Sequence, residues 1–260
     1  MNIEILLVEV AEKLSMYVWP FARIGGFLMV MPLIGGSFVP MRIRLLLAVA
    51  LTVVLAPLLP QTSPAVGLSV AGLVTMIQEI GIGVALGFLA QLVFDAIALS
   101  GQVIGMSMGL GFAVFLDRAR GVNMPVLGQL FMLLGMLTFL ALDGHLALIQ
   151  LLAASFQAWP IAGDSLTTAS LEMMLLWVGQ MFVFALKIAL PAIVAILVVN
   201  LSFGVMSRAA PTLNLFAVGF PVAMLLGFAV IFLNMGVLVE NVSIYIGETL
   251  AMISRLLGLP

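Results

Sequence analysis

The feature that most constrains this chain is a series of long apolar blocks joined by short links. A helix needs about 20 apolar residues to cross a bilayer, and several blocks reach that length. Only 8% of the 260 residues are charged, whereas soluble domains carry about 25%. The sequence therefore predicts an all-α integral membrane protein. The blocks cover residues 14–34, 45–59, 66–94, 96–116, 125–142, 146–159, 171–201 and 213–239.

The composition excludes several classes of functional site. The chain has no cysteine, which excludes disulfides, thiolate nucleophiles and cysteine-ligated metals. It has a single histidine, His145, so a histidine metal cluster cannot form within the chain. The net charge is −2 and there is no basic stripe, so nucleic acid is not expected as a partner. No metal or cofactor is expected.

Basic residues in short loops predict the orientation of the chain in the membrane, because they favour the cytoplasmic side. Arg42 and Arg44, then Arg118 and Arg120, then Arg208 occupy alternate loops. This alternation predicts six crossings with those three loops in the cytoplasm. The nominal spans are residues 14–34, 45–59, 68–94, 125–142, 175–199 and 213–239.

The block at residues 96–116 does not fit this scheme. If it crossed the bilayer, Arg118 would lie outside, against the charge rule. We therefore expect this segment to enter the assembly without crossing. Glycine allows its backbone to move and methionine deforms readily, which suits a plug; methionine as core filler is the alternative. A separate pair, Gly83 and Gly87, predicts close helix packing. The candidate plug residues are Gly105, Met106, Met108, Gly109, Gly111 and Phe112.

The sequence also bears on two other classes of function, an intramembrane protease and a secondary transporter. Residues 105–109 match the G-x-S-x-G pattern of serine hydrolases, and an intramembrane protease would need Ser107 hydrogen-bonded to His145. Such a match arises easily by chance in a chain this rich in glycine and methionine. A secondary transporter would contain repeated broken helices, but Pro191 and Pro221 have no counterpart in the first half. The chain is therefore predicted not to be an enzyme.

Three charges lie inside apolar blocks, where each is costly and marks a function or a buried pair. They are Arg23, Glu79 and Lys187. Glu79 and Lys187 have opposite signs, so we expect a buried polar contact between them or with a partner. A proton or ion path is the alternative. Asp95, between two blocks, is expected to mark a helix end.

The link between the last two long blocks predicts a tight helical hairpin. Arg208 can bind the last carbonyls of the preceding helix. Pro211 prevents that helix from continuing, and Thr212 or Asn214 can cap the next one. After the hairpin, residues 241–260 show apolar positions at helical spacing, which predicts an amphipathic tail on a membrane or a partner helix.

Four tracts together carry a resemblance to a known family. The most specific tract runs from Met206 to Pro221 and ends in Gly219-Phe220-Pro221. The other tracts are residues 23–44, 101–117 and 144–160. They resemble the FliR/SctT family of type III secretion export-gate components, and the Gly-Phe-Pro ending looks like that of its flagellar member.

The resemblance implies a fold and partners that composition alone does not. Members of this family assemble with FliP and FliQ into kinked helical hairpins around a central channel, and FlhB and FlhA complete the gate. Unfolded flagellar export substrates pass through it across the inner membrane, within the flagellar basal body. The resemblance implies that Arg208, Pro211, Asn214, Phe220 and Pro221 serve the hairpin and assembly.

Overall fold

A computed structural model of the chain describes residues 3–36, 39–59, 70–111, 126–163, 167–209 and 215–259. Every regular element within these ranges is helical, so the predicted all-α class is confirmed. A single turn of 3-10 helix, Ala56–Leu58, follows the second helix. The α-helices are α1 Ile3–Val30, α2 Met41–Leu55, α3 Val70–Ser107, α4 Val126–Ala141, α5 Gly144–Ala158, α6 Thr168–Ala209, α7 Leu215–Leu233 and α8 Met235–Leu256.

Several of these helices have the length and apolar composition of membrane spans. Among the described residues there are four, or five if the broken pair α4 and α5 forms one span. The four are Met41–Leu58, Val70–Ser107, Thr168–Met206 and Met235–Leu256.

The helix boundaries differ from the hydropathy blocks at both ends of the chain. The expected spans at residues 14–34 and 213–239 overlap α1, which already begins at Ile3, and α7, which ends at Leu233. The expected tail instead belongs to α8, which begins at Met235 and is itself a candidate span. The difference arises because hydropathy does not reveal where a helix ends.

The predicted helix end at Asp95 is wrong, because α3 runs without interruption from Val70 to Ser107. The Asp95 side chain is exposed. An aspartate inside a helix costs less than about 1 kcal/mol relative to alanine. Breaking the backbone hydrogen bonds in apolar surroundings costs more, so the helix continues.

The described chain divides into two compact units. The first comprises Met1–Leu92, Asp143–Val178 and Gly247–Pro260, and the second comprises Val93–Leu142 and Gly179–Ile246. The divisions at residues 92, 178 and 246 fall inside helices α3, α6 and α8.

In the first unit, α1 and α3 approach each other so closely that only glycine fits at the crossing. A Cβ atom at Gly83 would overlap the carbonyl oxygen of Arg23, and one at Gly87 would lie 2.8 Å from the carbonyl oxygen of Phe27. Small residues permit such backbone contact between apolar helices. The packing role predicted for Gly83 and Gly87 is confirmed.

In the second unit, α3 and α4 meet in a similar way. A Cβ atom at Gly101 would lie 2.6 Å from the carbonyl oxygen of Leu127, and one at Gly128 would lie 3.1 Å from that of Ala98. Nearby, the rings of Phe94 and Phe139 pack edge to face with centroids 5.3 Å apart. Gly101, the first of three glycines spaced four residues apart (Gly101, Gly105 and Gly109), therefore serves helix packing.

Candidate functional site

The first candidate site is a buried ion pair in the first unit. Arg23 on α1 has 0% of its surface exposed and Glu79 on α3 has 1%. The Arg23 Nε atom donates a hydrogen bond of 2.7 Å to the Glu79 carboxylate. Charge neutralisation allows both groups to lie in an apolar interior. The expected contact between Glu79 and Lys187 is therefore wrong, because Glu79 binds Arg23 instead.

The rest of the Arg23 guanidinium binds the end of α5. Its Nη1 donates to the carbonyl oxygen of Ser155 at 2.9 Å and to the Ser155 hydroxyl at 3.2 Å. Its Nη2 donates to the carbonyl oxygen of Trp159 at 2.9 Å, and its Cζ lies 4.2 Å from the centre of the Phe156 ring. A cation is favoured at a helix C-terminus, where carbonyls lack helical partners. One side chain thus joins α1, α3 and α5.

Sequence reasoning identified Arg23 and Glu79 as buried charges but did not pair them. A signal was present, because Glu79 lies one turn before Gly83, and residues four apart share a helix face. The helix that approaches Gly83 therefore also passes Glu79. The structure shows that this helix is α1, which presents Arg23 at the crossing. The glycine pattern marks the crossing on α3 but does not reveal which helix approaches it.

Lys187 lies in the second unit, near the middle of α6, and is exposed. No carboxylate in the described part of the chain forms a salt bridge with it. Its expected contact with a partner stays a prediction.

The second candidate site is the C-terminal end of α3, where the sequence predicts a plug. Gly109 adopts a left-handed φ of 84°. Its N–H donates to the carbonyl of Met106 at 3.0 Å, and the N–H of Leu110 donates to that of Gly105 at 2.9 Å. This pair of bonds is a Schellman motif, which needs a residue that adopts positive φ without strain. Gly109 therefore ends α3.

The end of α3 is anchored on α7, within the second unit. Met108 is buried at 1% exposure, and a Cβ atom at Gly227 would lie 2.6 Å from its Cγ. A Cβ atom at Gly109 would lie 2.7 Å from the ring of Phe220. Met108 and Gly109 thus fit against α7 because glycine leaves room on each side of the contact.

Met106 has the opposite environment to Met108, with 54% of its surface exposed. Gly111 lies close to it, since a Cβ atom there would be 3.7 Å from the Met106 Cγ. Phe112 lies outside the described residues. The segment therefore combines an anchored methionine with an exposed one.

The predicted hairpin is described only in part. Arg208 lies in the last turn of α6 and is exposed. Pro211 and Asn214 lie outside the described residues. Pro221 lies inside α7 and directly follows Phe220, which contacts the end of α3. The structure thus places Phe220 at the α3 contact.

Nothing in the described part of the chain favours the serine protease alternative. The Ser107 hydroxyl donates a 3.0 Å hydrogen bond to the Val103 carbonyl of its own helix. His145 belongs to the other unit, in the first turn of α5. Within the described ranges, no three histidine, aspartate or glutamate residues are grouped to hold a metal ion.

Comparisons with known proteins identify the family. The model of the family "Bacterial export proteins, family 1" matches residues 14–249. The flagellar biosynthetic protein FliR of Escherichia coli K12 is 38% identical over 216 residues, which cover 83% of this chain and 82% of that protein. The FliR protein of Pectobacterium carotovorum is 38% identical over 84% of each chain. The FliR protein of Bacillus subtilis is 27% identical over 92% of this chain and 94% of its own.

The family match extends across both units and includes both candidate sites. With the apolar helices described above, these comparisons also settle where the chain resides. This chain therefore belongs to family 1 of the bacterial export proteins and is a multi-pass inner-membrane component of the flagellar type III export apparatus.

Proposed function

We propose that this chain is a non-enzymatic part of the channel through which unfolded flagellar subunits cross the inner membrane. In this proposal it assembles with FliP and FliQ, and FlhB and FlhA complete the gate. Membership in the export family supports the general role. The exposed apolar faces of its helices support assembly with other helices.

The apolar side chains of α2 and α6 are largely exposed, and this exposure is the main indication that other helices pack against the chain. Only 17% of the residues of the span Met41–Leu58 are buried within the chain. In the span Thr168–Met206, 28% of an 18-residue apolar stretch is buried. Apolar surfaces of this extent require lipid or partner helices to cover them. The α6 side chains that are more than half exposed include Leu175, Leu176, Phe182, Val183, Leu186 and Leu190.

We further propose that residues 105–112 form part of the resting seal of the channel. The observation that carries this is the end of α3, where Met108 is fixed against Gly227 while Met106 is exposed two residues earlier. An anchored segment with an exposed, deformable side chain can close a passage and yield to a substrate. The Schellman end at Gly109 fixes where the helix stops.

The test of the seal is ion leak through the assembled complex. We expect deletion of residues 106–112, in a chain expressed with FliP and FliQ, to increase small-ion leak across the membrane. Met106→Ala should give a smaller increase. Met173→Ala on α6 is the matched control, because Met173 is also an exposed methionine, at 41%. Unchanged leak in a deletion complex of normal composition would contradict the seal.

A further inference from the structure

The second unit contains a small cleft whose polar groups have no role in the seal. Its volume is about 50 Å³, and its walls come from α3, α4, α6, α7 and α8. Most of the wall is apolar, including Ile104, Phe131 and Leu238. The polar side chains at its edge are those of Lys187, Asn234 and Asn241.

These polar groups divide into one cation and several neutral acceptors. The Nδ2 atoms of Asn234 and Asn241 donate to the carbonyls four residues earlier in the chain, each at 2.8 Å. The amide oxygens therefore remain as acceptors. Pro191 lacks an N–H, so the carbonyl of Lys187 has no helical donor at that position. Neutral acceptors can orient an ammonium group but cannot cancel its charge.

The location of Lys187 makes its charge costly. It lies about 28 Å from the start of α6 and about 33 Å from its end, at 1.5 Å per residue. Three apolar residues that share its helix face are more than half exposed: Val183 is 58% exposed, and Leu190 and Val194 are each 52% exposed. A cation surrounded by an apolar face requires a counter-charge when that face is covered.

The structure restricts what can supply the counter-charge. In the described part of the chain no carboxylate pairs with Lys187. The cleft has room for a few water molecules or the head of one carboxylate side chain, and not for a lipid acyl chain. The apolar face around Lys187 is suited to an apolar helix that carries the acid.

We propose that this cleft is a docking site for a neighbouring subunit, and that Lys187 binds the carboxylate of an acidic side chain on an apolar helix of that subunit. The proposal rests on the proposed function, because it requires that the chain assemble with other helical subunits. The apolar face at Val183, Leu190 and Val194 packs against the partner helix, and the ion pair sets its register.

The test is recovery of partner subunits with this chain from membranes. Lys187→Met removes the charge without adding a polar group, and Lys187→Arg keeps the charge. We expect Lys187→Met to lower the amount of recovered partner by roughly tenfold or more, whereas Lys187→Arg retains most of it. Arg255→Gln is the control, because Arg255 is also exposed but lies in the other unit; it should leave recovery unchanged.

Charge reversal then identifies the partner residue. Lys187→Glu should abolish recovery, and a glutamate-to-lysine or aspartate-to-lysine change at the contacting position of the partner should restore it. Normal recovery of partners with Lys187→Met would overturn the inference. It would equally be overturned if Lys187→Met released a bound anionic lipid while all subunits remained, or if the protein held by Lys187 were a second copy of this chain.

This outcome is distinguishable from failure of the proposed function. If the unaltered chain recovered no partner subunits, the proposed assembly itself would be wrong. If the unaltered chain and Lys187→Met recovered the same partners in the same amounts, the assembly would stand and only the docking site would be wrong.

Discussion

At the residue scale, the interior of the first unit depends on one arginine that serves three helices. Arg23 binds Glu79, two carbonyl oxygens at the end of α5 and the Ser155 hydroxyl. A buried ion pair contributes little net free energy when it replaces well-packed apolar groups, but a buried charge that has lost its partner is severely unfavourable. The fold is therefore destabilised mainly when one charge of the pair is removed and the other stays buried.

This gives a prediction about single and paired substitutions. We expect Glu79→Met to destabilise the fold by about 3–5 kcal/mol, because it leaves the Arg23 charge buried without a carboxylate. The double variant Arg23→Met with Glu79→Met should recover part of that loss, since no uncompensated charge remains. Thermal unfolding of the purified chain in detergent measures both. A double variant less stable than Glu79→Met alone would contradict this account.

At the element scale, the glycines of α3 have different roles at similar spacing. Gly83 and Gly101 allow backbones to approach, whereas Gly109 ends the helix. Spacing alone predicted the close packing at Gly83 and Gly87. Gly101, Gly105 and Gly109 also lie four residues apart, but such a spacing describes a helix face and does not reveal where the helix stops.

Alanine substitution of two glycines on α3, Gly83 and Gly81, tests the crossing of α1 and α3. Gly83→Ala should destabilise the chain, because the new Cβ atom meets the rigid backbone of Arg23 and the helices must separate. Gly81→Ala is the matched control, since nothing lies within 4 Å of a Cβ atom there. Unfolding in detergent compares them. Equal stability of the two variants would show that the helices do not cross at Gly83.

The end of α3 is tested in the same way. Gly109→Ala should cost roughly 1–2 kcal/mol for the left-handed backbone, with an additional cost from the Phe220 ring. Gly179→Ala, inside α6 and without neighbours within 4 Å, should be neutral or stabilise by up to about 1 kcal/mol. We expect Gly109→Ala also to raise ion leak in the complex. A Gly109→Ala chain as stable as the Gly179→Ala chain would exclude the Schellman end.

At the scale of the whole molecule, the helical class and the membrane location followed from the apolar blocks, since lipid leaves few alternatives to a helix. The buried pairing did not follow, because Arg23, Glu79 and Lys187 permit two opposite-charge pairs and only the α1–α3 crossing selects one. Nor did the contrast between Met106 and Met108, whose exposures are 54% and 1%. Residues two apart face opposite ways on a helix, but the pattern does not show which side α7 covers.

The central claim is that residues near Met106 line the path of the exported protein. Because the chain has no cysteine, Met106→Cys introduces a single thiol that can be tested for a disulfide with a cysteine-bearing substrate stalled in the channel. Leu175→Cys, at a 73% exposed position of α6, is the control for an apolar surface outside the path. We predict a disulfide to the stalled substrate at position 106 and none at position 175. No disulfide at position 106 in an export-competent complex, or equal disulfide formation at both positions, would contradict the claim.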